Sequence, residues 1–82
     1  MKKEGIIIYN KNLKRYDIGF FKEADGENYG GLHAGDQFEW NNSETFKWEP
    51  VRIEYDSENN TWYLIGKNNI KYTVWENMLV RI

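Results

Sequence analysis

The chain has 82 residues, enough for one small domain that buries roughly 60% of the surface its unfolded form exposes. It has no cysteine, which excludes disulfide staples and thiolate metal sites, so its 17% aromatic residues must supply the core. The net charge of −2 hides an asymmetry: residues 1–16 carry five cations against Glu4, whereas residues 17–62 carry eleven acids against Lys22, Lys47 and Arg52. Duplex binding draws its affinity from a net basic face, so direct DNA binding is disfavoured, although the basic N-terminal segment can still touch phosphate.

The first residues begin with two lysines, but the apolar run Ile6-Ile7-Ile8-Tyr9 is too short for a secretion-signal core. No stretch approaches the ~20 apolar residues of a membrane helix. The expectation is a soluble, cytoplasmic protein with no membrane partner, read as a single domain over 1–82.

Apolar residues recur at period two, the signature of strands. "GIIIYN" and "RYDIGFF" read as a hairpin over residues 5–21, with Tyr16, Ile18 and Phe20 on one face. Asp25-Gly26 is a tight-turn pair in the polar segment that follows. "DQFEWN" alternates, and "NNSET" turns the chain. "FKWEPVRIEY" alternates with a phase slip between Phe46/Trp48 and Val51/Ile53/Tyr55, which predicts a bulge or bend at Glu49-Pro50. Trp40 and Trp48 flank the turn and are expected to pair across it. "DSENN" is a further turn, "TWYLIG" a strand, and "MLVRI" a terminal strand. Residues 67–77 have no clear assignment, a helix being possible only within 70–78. Five or six short, bent antiparallel strands predict an all-β, small SH3-like barrel, since closure removes exposed edges.

The stretch "YGGLHAGDQFEW" (29–40) is the natural candidate for a reactive or anion-binding loop. Its glycines match neither the dinucleotide nor the P-loop spacing, and no helix start follows. Gly35 and Asp36 instead read as a turn entering a strand, with the Asp36 carboxylate available to nearby backbone N–H groups. His33 is the only histidine. It comes without a nucleophile to activate or fellow ligands for a metal, so neither a catalytic set nor a metal site is expected. The acids Asp25, Glu27, Asp56 and Glu58 lack the spacing of a calcium loop. Four tryptophans and six tyrosines are many for so small a core, and they serve either core packing alone or a binding patch including at least one of Trp48, Trp62 and Trp75.

"YGGLHAGDQFE", "WEPVRIEYD", "WYLIG" and the closing "LVRI" occur in an order that resembles a family of small uncharacterised bacterial domains of Gram-positive genomes, phages and conjugative elements. The likeness spans about Tyr29 to Ile82. Ala34 stands where that family often carries cysteine, so no thiol role can operate here, and the stretch from Asn68 to Asn77 is longer than its counterpart. The resemblance implies a cytoplasmic accessory protein of a mobile element and carries over no activity and no cofactor.

Together these readings favour a non-catalytic module that docks a protein partner through exposed aromatics and acids, with Trp48, Glu49 and Trp62 as contacts. One alternative is a homo-oligomer that sequesters a small, nucleotide-type ligand through Tyr29, His33 and Arg52, the arginine holding phosphate. Another is an acidic nucleic-acid mimic that blocks a DNA-handling enzyme.

Overall fold

The structure, a computed structural model, describes residues 2–21 and 28–82. The expected turn at Asp25-Gly26, like the acid Glu27, lies outside the described residues. Strands β1 (Glu4–Asn10) and β2 (Arg15–Phe20) form the N-terminal hairpin, with Ile7 opposite Ile18 and Tyr9 opposite Tyr16. Between them Asn10 turns its side chain back to accept the N–H groups of Asn12 and Leu13. Strands β3 (Gln37–Asn41), β4 (Trp48–Asp56) and β5 (Thr61–Ile65) make the central meander. After a short 3-10 turn at Lys67–Asn69 come β6 (Lys71–Thr73) and β7 (Leu79–Arg81).

Among the described residues seven strands form one antiparallel sheet in the order β2-β1-β7-β3-β4-β5-β6. The all-β expectation holds, but the strand count exceeds the five or six expected, because β6 occupies the stretch that had no assignment and where a helix had been allowed. Nor is the sheet a closed barrel: β2 and β6 are its two ends and do not pair. It curls strongly nonetheless. The Trp62 indole on β5 donates to the Lys14 carbonyl in the β1–β2 turn at 3.4 Å, linking elements far apart in strand order.

Each end of the sheet is managed differently. Along β2, Asn28 bridges Gly19, the Tyr29 N–H bonds the Ile18 carbonyl, and the Leu32 N–H bonds that of Tyr16. This segment covers the edge that a barrel would remove by closure. At the other end β6 is only three residues long.

The concave face carries one core, with Ile7, Ile18, Ile53, Leu64 and Val80 fully buried. Phe38, Trp40 and Val51 join them on the same face, and Leu32, Val74 and Met78 come from connecting segments. Tyr16 and Phe20 pack against this cluster beside Ile18, as the alternation in β2 predicts. Gly5 is required at the β1–β2 contact, since a Cβ there would lie 2.3 Å from the Gly19 carbonyl oxygen.

The bulge expected at Glu49-Pro50 is absent. Register runs without interruption from Gln37 opposite Arg52 to Asn41 opposite Trp48. The phase slip was an artefact of counting Phe46 as strand: it sits in the turn, 79% exposed, with a left-handed φ of 60°. Trp48 therefore belongs to the convex face, while Val51 and Ile53 face the core. The same register corrects the Trp40–Trp48 pair, for Trp40 opposes Glu49 and makes edge contacts with Tyr72 and Trp75 instead. Pro50 is tolerated for a backbone reason. Ile53 exchanges hydrogen bonds with Gly35 and Asp36, so odd-numbered β4 residues turn their amides toward β3. By alternation Pro50 points its missing N–H away from β3, on a stretch of β4 beyond the β5 pairing, which stops at Arg52.

Candidate functional site: the convex face around Trp48

The alternation of β4 places Trp48, Pro50, Arg52 and Glu54 on the convex face, beside Gln37 and Glu39 of β3 and Arg81 of β7. Trp48 is half-buried without joining the core. Its ring is covered by Arg81, whose guanidinium carbon lies 4.3 Å from the ring centroid. Arg81 is held in turn by Glu39, through Nε to Oε1 at 3.0 Å and Nη2 to Oε2 at 3.4 Å. Lys2 also donates to Glu39. These hydrogen bonds, Arg81's first and Lys2's second, hold the Glu39 carboxyl below the usual range. Arg52 is similarly anchored, its Nε donating to Glu54 at 2.8 Å. The arrangement is a planar cation stacked on an indole and fixed by a fork of charge-assisted hydrogen bonds.

The residues singled out from sequence do not form one site. Trp48 and Arg52 share the convex face. Glu49 points to the opposite face, opposite Trp40, and accepts a hydrogen bond from the Asn42 side chain at 2.7 Å. Trp62 lies on the concave side, packed against the core, near Tyr55 (4.8 Å between centroids) and the Arg15 guanidinium (6.0 Å). Tyr29 and His33 sit on the segment that follows the β2 edge. Trp75 is 45% exposed and leans on Trp40.

The 29–36 stretch answers to the structural reading. Asp36 accepts the His33 N–H at 2.8 Å and returns its own N–H to the His33 carbonyl. Gly35 has a φ of +94°, as the turn entering β3 demands. The imidazole is well exposed, with Nδ1 3.9 Å from Asp36. Gly30 and Gly31 do make an anion cradle, but the chain fills it itself: both N–H groups bond the Asp17 carboxylate, at 3.0 and 2.8 Å, together with that of Ile18. Asp17 is 3% exposed, the one charged side chain buried among the described residues. Sequence reasoning overlooked it because an acid in a strand reads as solvent-facing; its spacing from a Gly-Gly pair was the available signal.

Elsewhere the acids serve local structure. Asp56 caps the β4–β5 turn through Glu58 and Asn59, and the Asn59 side chain in particular lowers its pKa. The Tyr16 hydroxyl is raised, chiefly by burial. Among the described residues no helix is long and apolar enough to cross a membrane.

An open, strongly curled antiparallel sheet with a buried carboxylate clamp and an aromatic–guanidinium convex face defines a small all-β domain. The chain belongs to the family described as a domain of unknown function, DUF5348, whose pattern matches residues 5–82 and so includes the N-terminal hairpin as well as the part from Tyr29 onward. A protein from Ruminococcus gnavus, a structural genomics target solved by crystallography, is 36% identical, with a TM-score of 0.70 over 98% of this chain and 100% of that one. No curated protein matches the chain.

Proposed function

We propose that this protein is a non-catalytic, cytoplasmic protein-binding module, an accessory or inhibitor protein of a bacterial mobile element or phage, built as an SH3-like barrel left open between β2 and β6. The observation that carries the docking role is Trp48. A tryptophan that contributes nothing to the core, held in place by Arg81 and Glu39 on a strand face, is the kind of rigid aromatic–arginine anchor around which interface energy concentrates. Glu49 lies on the other face of the sheet, where it bonds Asn42, so the contact is assigned to Trp48 and its neighbouring guanidinium groups.

The test is capture of the partner from a lysate of the source cell by tagged protein, compared among variants that keep the near-ultraviolet circular dichroism of the fold. Trp48→Ala should lose the partner and Glu49→Gln should retain it. The reverse pattern would place the contact on the other face.

A further inference from the structure

The convex face beside Trp48 holds two shallow depressions, of about 200 and 350 Å³, which share Gln37 and Pro50 and so run into one another. The smaller reaches Arg52 and Lys67; the larger reaches Arg81 and Lys2. Together the two adjoining depressions form a groove lined by four cations and, among the described residues, by one acid, Glu39. Counting Glu54, which pairs with Arg52 beside it, the groove keeps an excess of two positive charges in a chain of net charge −2. Lys67 makes no ion pair among the described residues.

From this geometry we infer that the groove binds an extended, acidic peptide segment of the partner, its carboxylates facing Arg52, Lys67, Arg81 and Lys2. The inference rests on the docking reading above and gives its partner a chemistry. The groove crosses from β5 over β4 and β3 to β7, three strand spacings or roughly 14 Å, which an extended peptide spans with about four or five residues. Guanidinium forks suit carboxylates, and both arginines here already hold one in the resting fold. A single-stranded nucleic acid would share the charge but needs open aromatic faces for its bases. Among the described residues that line the groove the one aromatic is Phe38, which is 5% exposed.

The experiment is fluorescence anisotropy of the full chain with a labelled glutamate decapeptide, its glutamine counterpart and a thymidine decanucleotide. The expected result at low salt is glutamate-peptide binding stronger than that of the glutamine peptide by about tenfold, lost as salt screens the charges. The double variant Arg52→Gln/Lys67→Gln, both positions on the surface, should weaken it by about fivefold or more while the fold signal is unchanged. Equal binding of the two peptides, insensitivity to the double variant, or preference for the nucleotide would each overturn the inference. Such a result with Trp48-dependent partner capture intact would leave the docking face standing and remove only its acidic ligand.

Discussion

The Arg81 guanidinium lies over the Trp48 ring, its carbon 4.3 Å from the centroid, while the same guanidinium is fixed by Glu39. One side chain thereby orders an indole that the core does not hold. Arg81→Ala should cost about 0.5–1 kcal/mol of stability from the lost stack, and Arg81→Lys should recover only part of it because an ammonium cannot lie flat on the ring or bond Glu39 twice. Urea unfolding of the two variants, followed by tryptophan fluorescence, measures both effects.

The lowered pKa of Glu39 fixes the sign of a pH effect. A carboxyl whose pKa is lower in the folded state stabilises the fold above its unfolded value, and that contribution disappears as pH falls through the folded value. Asp56 acts in the same direction. Urea midpoints should therefore fall on acidification, and Glu39→Gln should fall less steeply than the unaltered chain. Identical slopes for the two proteins would refute the assignment.

Asp17 ties β2 to the segment covering its edge. Asp17→Ala removes the acceptor of three backbone N–H groups, two of them from glycines whose φ values of +110° and +101° other residues rarely adopt. The expected loss is about 3 kcal/mol. Gly31→Ala should also destabilise, since its Cβ would sit 3.2 Å from the Arg15 side chain on top of the backbone strain. Hydrogen exchange at Tyr29 and Leu32 should accelerate in both variants.

Phe46 occupies a left-handed conformation with its ring in solvent. Asparagine tolerates that conformation better, so Phe46→Asn should raise stability by about 0.5–1 kcal/mol. A thermal melt decides this: a lower midpoint would show that the ring makes a contact the fold depends on.

Much of the fold was legible because period-two alternation survives in short strands. β1, β2, β3 and β5 lie where their patterns put them, and the turns fall at Asn- and Gly-rich stretches. The failures have local causes. One exposed aromatic in a turn, Phe46, mimicked a strand position and shifted the apparent phase of β4, which suggested a bulge at Glu49-Pro50 that the strand does not have. β6 escaped notice because three residues give too little alternation to read. The neighbours β1–β2 and β3-β4-β5 follow from the turns between them, but the insertion of β7 between β1 and β3 could not be read, for it depends on pairings distant in sequence. The candidate site inherited these limits. Trp48 and Arg52 were legible as candidates, whereas Arg81 and Lys2 reach Glu39 and that face only through the distant pairing of β7 and β1.

For docking at the convex face around Trp48, the four tryptophans supply their own reporters. The most direct measurement is a two-dimensional nitrogen–proton spectrum of the indole N–H groups as the captured partner is titrated in. The Trp48 indole and the Gln37 side-chain amide should shift or broaden, while Trp40 and Trp62, on the concave face, stay in place. Shifts at Trp62 and His33 with Trp48 unmoved would contradict the account.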